Sequence, residues 1–224
     1  MINASLAMKL CGFLYLYILI TNAASVGLGD KTGETDSDAK MLTIAENPDR
    51  FKMGVNIAIL SHLGIIAITG MLFIAFSAYN MQLALIGSVL RLGEALVMIY
   101  SELRILGLLE LAEYYVLSDS NKESLRILGD RMLQIKNTRV DLGLLFLSIG
   151  ALAYCILLIQ SGVAPSKIAW LGLTAGIFSA IGILIKFASG NSILAVIGMI
   201  AMMGFEISFG GWLLFQSNTG VIIK

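Results

Sequence analysis

Arg91, Glu94 and Glu206 are the residues best placed to do chemistry, because each is ionisable and each sits inside a long apolar run. Arg91 and Glu94 stand one helical turn apart in MQLALIGSVLRLGEALVMIYSELRILGLLELAEYY (81–115), so a guanidinium can reach a carboxylate on the same helix. At about 1.5 Å per residue, Arg91 lies about 15 Å beyond Met81, near the middle of a hydrocarbon layer about 30 Å thick. A charge at that depth needs a partner. Glu206, in IAMMGFEISFGGWLL, falls about 14 Å from the same side when counted from the end of its own run, so the two can meet. Intramembrane groups of this kind serve ion pathways and proton relays. They serve equally as a buried ion network that fixes helix register, because the charges neutralise one another and no substrate-shaped motif accompanies them. His62, near the midplane by the same count, completes the candidate polar cluster. An unperturbed His titrates near neutral pH, but a lone one is a poor metal or haem ligand set, and hydrogen bonding inside a bundle is its default role.

A second group of charges lies further along. Glu102 follows Arg91 by eleven residues, which brings it back to within about 20° of Arg91 on the helical wheel, and Glu113 repeats the step from Glu102. Glu102, Arg104, Arg139, Asp141 and Lys186 all fall near the interface opposite the Asn80 side, and read as a girdle of solvated salt bridges.

The elements that position these residues are membrane helices. The 224 residues are 58% hydrophobic and 13% charged, with a mean hydropathy of +0.87, whereas soluble domains are about one quarter charged. Net charge is +0, so no basic surplus points to nucleic acid. Cys11 and Cys155 lie in apolar runs without a CxxC or Cys/His cluster, which argues against a disulfide framework, a metal site or a metal cofactor. Eleven scattered methionines read as packing rather than a copper series. Trp170, Trp212 and several tyrosines fall toward helix ends, as interface anchors do.

The chain reads as a single polytopic domain over 1–224: an all-α integral membrane bundle of six transmembrane helices at about 6–28, 48–79, 81–116, 140–160, 166–187 and 193–215. The first could pass for a signal peptide, with Lys9, an apolar run and small residues at Ala23, Ala24 and Ser25, but is read as a span. GDKTGETDSDAK is a solvated loop. Asn47, Pro48 and Asp49 form a helix start, and Asn80 marks a tight turn. Between helices 3 and 4 lies an amphipathic interfacial helix at about 121–137, opened by a Ser120/Glu123 capping box, with Leu125, Leu128, Met132 and Ile135 on one face. Gly172, Gly176 and Ala180 let another helix approach closely, inside the bundle or across a homodimer or larger complex. The loops after helices 1, 3 and 5 hold ten Lys/Arg against three on the other side (Lys9, Lys167, Lys224). The positive-inside rule alone puts the termini outside, although those loops are also acid-rich.

Several stretches together resemble one family, the bacterial and archaeal membrane proteins of "domain of unknown function 4386": MKLCGFLYLYILI, ENPDRFKMG, VLRLGEALVMI with Arg91 and Glu94, TRVDLGLLFLSIGAL with Asp141, APSKIAWLGLTAG with Pro165 and Trp170, and FEISFGGWLL with Glu206 and Trp212. Relatives tend to carry more basic residues before helix 1 and around the Pro-Arg-Trp stretch, where this chain has only Lys9 and Lys167. The resemblance implies a six-helix bundle and supplies no activity. No Walker loop, GxSxG, HExxH or GxGxxG is present, so an enzyme would require an unfamiliar intramembrane site. The expected function is that of a binding, regulatory or accessory multi-pass protein of the cell membrane, whose partner is the lipid bilayer. A proton- or ion-coupled small-solute transporter built on the Arg91 cluster is the alternative.

Overall fold

A computed structural model describes residues 4–29, 37–118 and 121–215. Eight helices follow in order: α1 (Ala4–Gly29), α2 (Ser37–Glu46), α3 (Pro48–Phe76), α4 (Met81–Ile105), α5 (Gly107–Leu117), α6 (Lys122–Ser161), α7 (Ser166–Ser189) and α8 (Ile193–Phe215). Among the described residues there is no strand. Six stretches are long and apolar enough to cross a membrane: Lys9–Leu28, Pro48–Phe76, Met81–Leu117, Lys122–Ser161, Ser166–Ser189 and Ile193–Phe215. The protein is thus an all-α membrane bundle with six spans.

Local chemistry sets the helix ends. The Asn47 carbonyl accepts the Phe51 N–H at 3.2 Å, the first bond of α3 after Pro48. α3 stops at Phe76, short of the expected 79, and the chain turns through Asn80, whose Oδ1 accepts the Leu83 N–H at 3.1 Å and caps α4. The last carbonyls of α1 are met by Arg50, which donates Nη2 to Gly27 O at 2.9 Å and Nε to Leu28 O at 3.2 Å. Gly190, at φ +77, ends α7 in the left-handed region that a side chain would resist, and Asn191 Oδ1 then accepts the Ile193 N–H at 3.0 Å.

Three expectations are corrected. The amphipathic helix and the fourth span are one 40-residue helix, α6, because nothing between Lys136 and Leu142 breaks a backbone; only the polarity changes. Its Leu125 and Met132 pack on a core as expected, whereas Leu128 and Ile135 are each 48% exposed. Ser120 lies outside the described residues, and the Glu123 carboxylate binds Arg126 at 2.7 and 3.0 Å. Ser37–Lys40, the end of the stretch expected as a solvated loop, is helical: α2 forms over Ser37–Glu46, with Met41 and Ile44 buried one turn apart. The long third stretch is interrupted at Leu106, where the Leu109 N–H reaches back to Leu106 O at 3.0 Å.

The chain packs as two compact units, and α1, α3, α4 and α6 divide their residues between them. The first comprises Met1–Ile18, Leu63–Ala95 and Leu142–Lys224. Its core interleaves stripes at helical spacing: Cys11, Tyr15 and Ile18 of α1; Ile65, Ile68, Leu72 and Phe76 of α3; Met202, Phe205, Phe209 and Leu213 of α8. Small residues bring α7 and α8 into backbone contact, Gly182 against Ala195 and Gly198 against Ser179. The opposite faces carry Ile74, Ile193, Ile200 and Ile207 outward, each more than half exposed, as a lipid solvent permits. The second unit, Leu19–His62 and Leu96–Asp141, has its own core of Met41, Ile44, Phe51, Val55, Ile105, Leu108, Leu111 and Tyr115.

Candidate functional site

The Arg91 cluster lies in the first unit. Arg91 and Glu94 of α4 are each 4% exposed, and Arg91 Nη1 is 2.8 Å from Glu94 Oε2. That pair is close in distance, yet Oε2 has no aligned hydrogen bond among the described residues. Arg91 Nη2 lies 4.0 Å from Glu206 Oε1 of α8. One guanidinium therefore serves two carboxylates on two helices, the nearer on its own helix and the farther on α8. The depth arithmetic that brought Arg91 and Glu206 together agrees with the geometry.

Close helix approach makes room for the arginine stem. A Cβ at Gly150 of α6 would meet Arg91 Cγ, the Gly87 carbonyl and Leu90 Cβ, each at 3.3 Å. Gly87 in turn faces the ring of Tyr154, at 2.9 Å from where its Cβ would stand. One turn before Arg91, Ser88 shares a 2.7 Å hydrogen bond with the Tyr154 hydroxyl, and both residues are buried. Sequence reasoning missed Ser88, Gly150 and Tyr154. Their signal was there: Ser88 is i−3 to Arg91, and Gly150 and Tyr154 are i, i+4 on one face.

Arg91 and Glu206 also border a cavity of about 10 Å³, walled by Tyr15, Leu72, Tyr154, Phe205 and Phe209. Its aromatic side is firm: Tyr15 meets Phe209 edge-on at 5.5 Å, and Phe205 stacks on Phe209 at 5.6 Å. A single water needs about 10–15 Å³ by the same measure, so the space is at the limit for one.

His62 belongs to the second unit. It is 7% exposed, and its Nδ1 has no hydrogen-bond partner among the described residues. Among the interfacial charges, Glu102 is less solvated than expected. Glu102 is 8% exposed and faces Lys136 Nζ at 3.7 Å, a partner outside the expected set. Arg139 lies over the Tyr100 ring at 4.8 Å; Arg104 is exposed, and Asp141 and Lys186 each have an interaction partner. Gly172 and Gly176, expected to admit a neighbouring helix, are filled within the chain: a Cβ at Gly172 would strike Cys155 Sγ and the Phe205 ring at 2.6 Å, and one at Gly176 would strike Leu152 at 2.8 Å. Ala180 is buried beside them in sequence on α7. Among the described residues no group of His, Cys, Asp and Glu is arranged to hold a metal ion, and Cys11 and Cys155 are free and buried.

A model of the family described as "Domain of unknown function (DUF4386)" matches residues 10–216. No curated protein and no solved structure matches the chain.

Proposed function

We propose, for a chain that belongs to the DUF4386 family, that it works as a binding, regulatory or accessory protein of the cell membrane, with Arg91, Glu94 and Glu206 locking its helices together. The observation that carries this reading is the size of the space at the cluster. A cavity of about 10 Å³ between aromatic and aliphatic walls admits one water at most, whereas a transporter needs a path for its solute from each side to the site. Charges that already pair within the protein also have less need of a ligand. One observation favours a proton-coupled transporter: Glu94 Oε2 retains acceptor capacity that its 2.8 Å contact with Arg91 does not use.

The test is flux through liposomes containing the purified protein, with a panel of small solutes and an imposed pH gradient. We expect wild type and Glu206→Gln to match empty liposomes. Robust wild-type flux that Glu206→Gln abolishes would replace this reading with the transporter.

A further inference from the structure

A second cavity, of about 60 Å³, opens in the second unit between two facing helical stripes. Ser101, Arg104 and Ile105 of α4 form one wall, and Met132, Ile135, Lys136 and Arg139 of α6 the other. It is several times the volume one water needs. Three of its residues are cationic, and among the described residues only Lys136 has a carboxylate beside it, Glu102 at 3.7 Å. Arg104 forms no ion pair among those residues, and Arg139 rests on the Tyr100 ring. The wall therefore keeps two net positive charges, and like charges gathered around a cavity repel unless an anion sits between them. Ser101 adds an independent sign. It is 1% exposed, yet its Oγ has no hydrogen-bond partner among the described residues. A buried hydroxyl left so is costly unless something in the cavity satisfies it.

We propose that this pocket binds a phosphate-bearing group, held as the headgroup of an anionic phospholipid. Two guanidinium forks and a hydroxyl match a phosphate, whose oxygens accept several charge-assisted bonds at once. The surroundings select the lipid over the free ion. Leu103 and Tyr100 of α4 are each 53% exposed, and Ile135, in the pocket wall, is 48% exposed. Apolar side chains flanking a cationic pocket gain from an acyl chain laid along them, and a soluble anion offers them nothing. Charges crowd this part of the sequence, from Glu102 and Arg104 to Lys136 and Arg139, so these turns belong at headgroup level rather than in hydrocarbon. The proposal deepens the binding reading above but rests on residues that the Arg91 network does not include.

The experiment titrates the full chain, purified in neutral detergent, with dioctanoyl phosphatidylglycerol, with inorganic phosphate and with octanoate. Binding is read by native mass spectrometry and by melting temperature. Phosphatidylglycerol should bind and stabilise wild type, octanoate should do neither, and Arg104→Gln and Arg139→Gln should each weaken binding by about tenfold or more. Ser101→Ala should weaken it by a smaller factor and leaves the charges in place. If inorganic phosphate binds equally well with the same dependence on Arg104 and Arg139, the phosphate site stands and the lipid source falls. Binding by octanoate equal to that by phosphatidylglycerol, or binding indifferent to all three substitutions, would overturn the site. Liposome flux sensitive to Glu206→Gln, with the phosphatidylglycerol dependence intact, would defeat the function proposed for the Arg91 cluster and leave this pocket in place.

Discussion

Replacing Arg91 with Met removes the guanidinium while keeping much of the aliphatic stem that Gly150 accommodates. The substitution leaves Glu94 and Glu206 buried without their cation. Removing one member of a buried pair costs about 3–5 kcal/mol, because the charge left behind is uncompensated. For a chain of this length each kcal/mol moves the melting temperature by about 2–4 °C, so Arg91→Met should lower it by about 6–20 °C. The two carboxylates should also differ. At an effective dielectric constant of about 20, a charge pair at 2.8 Å interacts by about 6 kcal/mol before desolvation and one at 4.0 Å by about 4 kcal/mol. Glu94 should therefore couple to Arg91 more strongly than Glu206 does. Double-mutant cycles built from Arg91→Met, Glu94→Gln and Glu206→Gln, melted in one detergent with circular dichroism as the probe, measure both couplings. The triple variant should recover much of the loss, since a whole buried ion network can be exchanged for neutral groups at little net cost. An unchanged melting temperature in Arg91→Met, or a larger coupling to Glu206 than to Glu94, would refute the reasoning.

The α7–α8 contact gives a paired test. Gly198→Ala would place its methyl 2.5 Å from Ser179 backbone atoms, which cannot step aside, and should destabilise by about 1–3 kcal/mol or more. Gly204→Ala, on the same helix with nothing within 4 Å of the new Cβ, should be neutral or raise the melting temperature. Tyr154→Phe should cost about 1–3 kcal/mol by stranding the buried Ser88 hydroxyl. Adding Ser88→Ala should return part of that loss, as the same melts will report.

The six spans could be read in the sequence because hydrocarbon imposes a length and a composition on anything that crosses it. Arg91 with Glu94 could be read because a three-residue step is a contact within one helix, and Glu206 because membrane depth supplies a coordinate that soluble proteins lack. What escaped was backbone continuity and pairing between helices. Residues 121–161 change from polar to apolar near Val140, and in one dimension a change of solvent looks the same as a change of element, although no Gly or Pro lies between Lys136 and Leu142. α2 was hidden by its Ser, Asp and Lys, with only Met41 and Ile44 to mark an apolar side. The wall of Ser101, Arg104, Lys136 and Arg139 needs α4 and α6 set side by side, which no one-dimensional pattern supplies.

The two distances around Arg91 also bear on how the chain enters the bilayer during synthesis. Chains emerge N-terminus first. Arg91 is therefore delivered with its own counter-ion, since Glu94 is one turn on along α4, and that helix need not wait for another before its buried arginine is paired. Glu206 arrives on α8 more than a hundred residues later, when the guanidinium is already seated. The carboxylate with no cation on its own helix is thus the later one to emerge, so Arg91 never enters lipid without a counter-ion.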